Sequence, residues 1–240
     1  MKSIRSDQRL NNQLRPLKFA PNFTDYAEGS VLIETGQTRV LCTASISETI
    51  PRWREASGAG WLTAEYGMLP RSTHQRIDRQ RGNESSRSKE ISRLIGRSLR
   101  AAVNLERLGP RTLTIDCDVL QADGGTRTAS VTGGYVATVM ALRKLIAAGL
   151  VPVEVLATPV AAVSVGLVAD QMMLDLCYEE DARAEVDLNV VMTGSGKFIE
   201  IQGTAEGQPF DQDTLLGMVE LARRGITQLL AGQAQILQGL

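Results

Sequence analysis

Gln121-Ala-Asp-Gly-Gly-Thr-Arg-Thr-Ala-Ser130 joins two segments of different character. Residues 112–120, before it, alternate polar and apolar side chains, which predicts a β-strand. Residues 127–150, after it, are apolar and rich in alanine, which predicts a helix. Gly124 and Gly125 therefore lie where a strand turns into a helix. Glycine at such a turn lets the backbone bend sharply and expose its N–H groups.

This turn has the features of an anion site. A helix N-terminus carries partial positive charge, which favours a bound anion. Arg127 falls in the first predicted helical turn, where a cation opposes the helix dipole. A phosphate gripped by the planar guanidinium would account for a cation at this place. The alternative is a tight turn with one solvated arginine, and these residues alone leave both interpretations open.

Composition limits the possible classes of protein. The chain has 240 residues with 26 basic and 27 acidic side chains, so a net charge of −1 argues against a histone-like arm but allows a local basic patch. The three cysteines form no Cys-x-x-Cys pair, which favours buried thiols in a reducing cytoplasm over zinc ligands. No apolar N-terminal signal and no apolar run of about 20 residues is present, so we expect a cytoplasmic protein without a membrane partner.

The order of predicted elements indicates an α+β fold. Residues 16–24 are predicted to be extended, and residues 88–108 and 211–238 are predicted helices besides 127–150. The predicted strands besides 112–120 are 30–35 and 38–47 around a turn at Gly36-Gln37, 60–65, 160–168, 172–178, 185–193 and 197–202, with Gly194-Ser-Gly196 turning between the last two. Frequent hairpins among interleaved helices predict mixed β-sheets packed against helices, in a single domain over residues 1–240.

A long arginine-rich loop is predicted over residues 70–88. Six arginines fall within 23 positions, namely Arg71, Arg76, Arg79, Arg81, Arg87 and Arg93. Such a segment has too few apolar residues to pack on its own and is expected to be mobile when free. It suits a polyanion, because each neutralised phosphate releases a counterion. The alternatives are a solvated surface loop and a subunit contact, and His74, in the same loop, is assigned no role.

Acidic residues form the third chemical feature. Asp181 is expected to end one strand, and Asp187 lies in the next, where alternation with apolar neighbours points it away from the apolar face. Phosphoryl-transfer chemistry often uses two carboxylates to hold a divalent cation or to manage a proton. An ordinary acidic turn is the alternative interpretation.

Four segments in order carry a family resemblance: Trp61-Leu-Thr-Ala-Glu-Tyr-Gly-Met-Leu-Pro-Arg-Ser-Thr-His74, the 121–130 stretch, Asp187-Leu-Asn-Val-Val-Met-Thr193 and Gln202-Gly-Thr-Ala-Glu-Gly207. They closely resemble the ribonuclease PH family of phosphorolytic 3′-to-5′ exoribonucleases, and the likeness extends over essentially the whole chain. The resemblance implies a ribonuclease PH-type domain and a homohexameric ring built as a trimer of dimers. It also implies tRNA nucleotidyltransferase activity, in which inorganic phosphate is the co-substrate that trims tRNA precursors and nucleoside diphosphates are released.

The resemblance also assigns roles to individual residues. The family's phosphate-binding positions fall on Arg87, Gly125, Thr126 and Arg127, and its acidic catalytic pair falls on Asp181 and Asp187, the expected ligands of Mg²⁺. The RNA-binding arginines are expected among Arg71, Arg76, Arg79 and Arg81. Two other functions remain: an RNA-binding ring subunit without activity, which should lack the acidic pair or the phosphate arginines, and a hydrolytic ribonuclease, which needs no phosphate pocket.

Overall fold

The computed structural model of the chain describes residues 5–79 and 85–240. Within these residues the strands are β1 (Leu17–Pro21), β2 (Gly29–Thr35), β3 (Thr38–Ser47), β4 (Trp61–Met68), β5 (Thr112–Gln121), β6 (Val160–Val168), β7 (Gln171–Leu174), β8 (Val186–Thr193) and β9 (Phe198–Ala205). The α-helices are α1 (Ser86–Arg100), α2 (Leu105–Leu108), α3 (Thr126–Ala147), α4 (Tyr178–Asp181) and α5 (Gln212–Gln238), and short 3₁₀ helices cover Arg52–Ser57 and Val153–Val155.

Two sheets form the framework. The first has the strand order β1-β2-β3-β5-β4 and is mixed, because β4 runs parallel to β5 while its other neighbouring strands pair antiparallel. The second has the order β7-β6-β8-β9 and is antiparallel. The predicted α+β class with mixed sheets packed against helices is therefore confirmed.

Helix α3 lies between the two sheets. It contacts β2 and β3 of the first sheet and β6 of the second, and its residues are buried on every side from Thr128 to Leu142. A helix that is apolar all round is expected to be buried in this way. Helix α5 covers the other face of the second sheet, where Met218, Ala222 and Ile226 join its core. The extent of a single domain over residues 1–240 stays a prediction.

Most predicted elements occur close to their expected positions. The turns at Gly36-Gln37 and Gly194–Gly196 connect antiparallel strands as expected, and α3 and α5 lie where the periodicity placed them. All three cysteines are free and buried, as predicted. No helix in the described part of the chain is long and apolar enough to cross a membrane.

The helix predicted over residues 88–108 is wrong in both limits. Helix α1 starts at Ser86, where the Ser85 side chain caps it by accepting a hydrogen bond from the Ser88 N–H. It ends at Arg100, because Ala102 and Asn104 then form backbone hydrogen bonds with residues 155–157. The side chain of Asn104 caps the separate helix α2.

The strand predicted over residues 172–178 is also wrong beyond Leu174. Asp175 has a left-handed backbone, with φ of 54°, which bends the chain out of the sheet. Asp181 therefore does not end a strand; it closes the single turn of α4. The expected strand at 60–65, by contrast, continues to Met68.

Gly124 fixes how the glycine turn meets α4. Its φ is +72°, and a Cβ atom added to it would lie 2.5 Å from the Leu176 carbonyl oxygen and 2.8 Å from the Cys177 carbonyl carbon. Both are backbone atoms that cannot move aside easily. Only glycine therefore lets the strand-to-helix turn touch the chain that leads into α4.

Gly124→Ala and Gly149→Ala separate this close approach from backbone strain. Gly149 has nearly the same φ, +70°, but nothing lies within 4 Å of its added Cβ. We expect Gly149→Ala to lower the free energy of unfolding by roughly 1–2 kcal/mol. Gly124→Ala should cost clearly more or abolish folding, as measured by denaturant unfolding. Equal losses would show that the contact with residues 176–177 does not constrain the turn.

Candidate active site

The glycine turn is held by side chains from the start of the chain and from β3. Thr38 accepts a hydrogen bond from the Asp123 N–H at 2.9 Å and donates one to the Gly124 carbonyl at 2.7 Å. Arg15 donates to the carbonyls of Asp123 and Gly124. On the far side, the Asp123 carboxylate accepts a hydrogen bond from the Tyr178 N–H at 3.1 Å, which links the turn to α4.

A buried network of arginines and carboxylates lies beneath the turn. The Arg15 guanidinium donates two hydrogen bonds to the Asp175 carboxylate, with N–O distances of 2.7 and 3.1 Å. The backbone N–H of Arg15 donates a third to the same carboxylate. Arg5 grips Glu180 through two hydrogen bonds of 2.7 Å. Bidentate arginine pairs of this kind fix geometry as well as charge. The N-terminal segment thus anchors the residue next to Asp181.

Two helix N-termini face the same small region. Arg87 and Arg127 each occupy the second position of a helix, in α1 and α3, and neither first turn contains an acidic residue. Both positive charges act on Asp181 and on Tyr66, so the two arginines lie near the same pair of side chains. Two helix dipoles and two guanidinium groups make this region strongly attractive to an anion.

Arg127 is held in place by a polar contact. Its Nη1 donates to Gln202 Oε1 at 2.8 Å and approaches Glu90 Oε1 at 3.5 Å, and Gln202 Nε2 donates to the same Glu90 oxygen. The side chain of Arg127 is only 17% exposed. Sequence reasoning expected it to face solvent or ligand; the structure shows that Gln202, from the 202–207 motif, orients it.

Asp181 and Asp187 come together at the edge of this positive region. Surrounding protein raises the pKa of Asp181 even though its side chain reaches solvent, while Arg87 and Arg127 oppose the shift. Burial and the nearby charge of Asp181 raise the pKa of Asp187, which is half-buried on β8. The carboxylates therefore repel each other, and each holds a proton more readily than a free aspartate.

The carboxylates of Asp181 and Asp187 fit a magnesium ion only if a substrate and water supply its remaining ligands. Within residues 5–79 and 85–240, no cluster of three or more His, Cys, Asp or Glu side chains is arranged to hold a metal. Mg²⁺ commonly uses one or two carboxylates and completes its shell with water and substrate phosphates. Asp181 and Asp187 supply such a pair, and their mutual repulsion is the kind of charge that a cation relieves.

The first part of the arginine loop lies beside the glycine turn. The Ser72 carbonyl accepts a hydrogen bond from the Ala122 N–H, and Ser72 itself is buried, so this part is anchored although it was expected to be mobile. Arg71, His74, Asp123 and Tyr178 line a groove of about 670 Å³ next to it. Arg76 and Arg79 are exposed, and Arg81 lies outside the described residues.

Comparison with known proteins identifies the family. The model of the 3′ exoribonuclease family, domain 1, matches residues 13–143, and that of domain 2 matches residues 158–225. The chain belongs to the 3′ exoribonuclease family.

Solved structures share the fold. Rice (Oryza sativa) Rrp46 superposes with a TM-score of 0.78 at 20% identity, covering 97% of this chain and all of the other. A subunit of the Archaeoglobus fulgidus exosome with RNA bound to the active site gives 0.77 at 20% identity, over 94% of this chain and 91% of the other. A subunit of an archaeal exosome core gives 0.75 at 20% identity, over 96% and 91%.

Asp187→Asn tests the electrostatic strain in the carboxylate pair. Because the pKa of Asp187 is raised in the folded protein, its carboxyl group binds a proton more tightly there than in the unfolded chain. Stability is therefore lost as the pH rises from the pKa of the unfolded chain through the higher pKa of the folded protein. We expect the substitution to raise the melting temperature at pH 8 in the absence of divalent cations. The gain should shrink towards pH 4, where the aspartate of the unfolded chain also becomes protonated.

Asp25→Asn is the matched control, because it removes the same charge from an exposed loop and should change stability little at either pH. A fall in melting temperature at pH 8 for Asp187→Asn alone would contradict the strained pair and indicate that this carboxylate stabilises the fold.

Proposed function

We propose that this protein is a phosphate-dependent 3′-to-5′ exoribonuclease of the ribonuclease PH type that trims the 3′ ends of tRNA precursors. The observation that carries the proposal is the convergence of Arg87, Thr126 and Arg127 with Asp181 and Asp187. An anion site beside two carboxylates with raised pKa values suits attack by phosphate on a phosphodiester. Ring assembly as a homohexamer and a cytoplasmic location are parts of the same proposal.

The reaction requires two anions to approach each other. Arg87, Arg127, the Thr126 hydroxyl and the N–H groups of the glycine turn hold inorganic phosphate in line with the last linkage of the RNA. A phosphate oxygen attacks the phosphorus, a new P–O bond forms, and the bond to the 3′-oxygen of the preceding nucleotide breaks. The terminal nucleotide leaves as a nucleoside diphosphate, so the reaction is reversible.

The leaving 3′-oxygen needs a proton. Asp181 suits this task, because its raised pKa keeps a proton available closer to neutral pH than that of a free aspartate. The nearby charge of Glu206 reinforces the effect, and Asp187 lies close enough for its own pKa to be raised by Asp181. Mg²⁺ held by the same carboxylates would supply positive charge to neutralise the charge that builds on the attacked phosphorus. This metal-ligand role competes with proton donation, because a bound cation favours the ionised carboxylate.

A ring subunit without activity is the second candidate, because the fold also matches rice Rrp46 and exosome subunits. The presence of both the phosphate arginines and the acidic pair favours the enzyme.

One assay distinguishes these functions from each other and from hydrolysis. The purified chain is incubated with a short RNA, with and without inorganic phosphate, and the products are identified. Nucleoside diphosphates that appear only with phosphate support the proposal. Nucleoside monophosphates would indicate hydrolysis, and the absence of product would indicate an inactive subunit. A tRNA precursor and an unrelated RNA of equal length, compared at equal concentration, test the preference for tRNA.

Arg127→Ala tests the phosphate site. Loss of one preorganised donor should lower turnover by about 10²-fold or more and weaken the apparent affinity for phosphate. Folding should be little affected, since the lost contacts with Gln202 and Glu90 are few. Arg224→Ala removes an exposed arginine paired with Glu220 on α5 and serves as the control. Turnover near wild type at saturating RNA and phosphate would refute the assignment of Arg127.

Arg76→Ala with Arg79→Ala tests the RNA-binding role of the loop. Each contact with a single-stranded phosphate should contribute about 0.7 to the slope of log K against log salt. The slope measured for the double variant should therefore be shallower than that of wild type by about 1 to 1.4. Cleavage of a long tRNA precursor should suffer more than cleavage of a dinucleotide. The control is Arg223→Ala with Arg224→Ala, which removes two exposed arginines from α5.

Light scattering on the loop variant tests the competing role. A hexamer that falls apart into dimers, together with loss of dinucleotide cleavage, would show that the loop serves ring assembly and not RNA binding.

A further inference from the structure

Tyr66 is a buried side chain that reaches the phosphate-binding end of α3. It lies on β4, is 4% exposed, and its hydroxyl oxygen is 2.8 Å from the hydroxyl oxygen of Thr126. Among the residues that the structure describes, Thr126 is the hydrogen-bond partner of this phenol. The charges of Arg87 and Arg127 also act on it. The phenol thus adjoins three of the four residues assigned to phosphate.

The direction of this hydrogen bond follows from chemistry. A threonine hydroxyl has one proton to donate and two lone pairs that accept. A phenol is the more acidic of the two groups and the better donor, and burial raises the pKa of Tyr66, which keeps the phenol neutral. The contact distance fits either direction, and the greater acidity of the phenol favours Tyr66 as the donor to Thr126 Oγ1. The proton of Thr126 is then left for another acceptor.

We propose that Tyr66 is a positioning residue for the attacking phosphate: it donates to Thr126 and so leaves the Thr126 proton to be donated to the anion. The inference deepens the proposed function and rests on it, since the anion is the phosphate co-substrate. Without the phenol, Thr126 can rotate and direct its proton elsewhere. A hydrogen bond received by a hydroxyl also strengthens the one that it donates.

Tyr66→Phe removes the donor and keeps the ring that fills the core. The KM for phosphate should rise roughly fivefold to tenfold, the factor that one hydrogen bond of ordinary net strength represents. The KM for RNA should stay unchanged and kcat should stay within about twofold of wild type. Tyr135→Phe is the matched control, because Tyr135 is also buried and lies on α3, further along the helix. It should leave both KM values unchanged.

A double-mutant cycle with Thr126→Val separates positioning from packing. If Tyr66 acts through the Thr126 hydroxyl, Tyr66→Phe should have no further effect on the KM for phosphate in the Thr126→Val background. The same cycle is repeated without RNA, by the rise in melting temperature that inorganic phosphate produces. Tyr66→Phe should reduce this rise when Thr126 is present and leave it unchanged in the Thr126→Val protein.

The outcomes distinguish the two proposals. If wild type forms no nucleoside diphosphate with phosphate, the proposed function fails, while the melting-temperature cycle still tests the role of Tyr66 with phosphate as the probe. If wild type is active and Tyr66→Phe has a normal KM for phosphate, only the inference fails. Equal rises in the KM for RNA and for phosphate, or effects of the two substitutions that simply add, would also overturn it.

Discussion

The contact between Gly124 and the backbone of residues 176–178 is the constraint on which the site depends. It joins the turn between β5 and helix α3, whose N-terminus is the candidate anion site, to the chain that leads into α4 and Asp181. The two parts come from different sheets. A side chain at Gly124 would separate the positive and acidic sides of the site, so the site exists only because the backbones touch.

The buried arginine–carboxylate pairs near that contact explain how the two backbone segments are held in place. Arg15 binds Asp175 on one side and the carbonyls of the glycine turn on the other, so a single guanidinium links both sheets. Burying such an ion pair has a desolvation penalty, and a hydrophobic replacement often gives equal or greater stability. The pair is therefore better explained by the geometry that it imposes than by net stabilisation. Arg5 and Glu180 act in the same way one residue before Asp181.

The sequence predicted the parts of the site that depend on local pattern. Gly124, Gly125 and Arg127 were located because alternation before them and apolar periodicity after them mark a strand and a helix. The prediction that Asp181 ends a strand was wrong. The chain leaves the sheet at the left-handed Asp175, which binds Arg15, 160 residues earlier, and Glu180 of α4 binds Arg5, 175 residues earlier. No local signal reports such contacts. Tyr66 and Gln202 lie within the motifs that resemble the family, yet their contacts with Thr126 and Arg127 form only when β4 and β9 pack beside α1 and α3.

The proposed reaction would couple anion binding to proton donation. Arg87 and Arg127 oppose the rise in the pKa of Asp181 that the surrounding protein causes. In the proposed reaction, a bound phosphate offsets part of their positive charge and brings negative charge close to Asp181. Both changes disfavour the ionised carboxylate, so the pKa of Asp181 should rise further when phosphate binds. The acid is thus most fully protonated when the attacking anion is in place, whereas a cation at the same carboxylates would favour their ionised form.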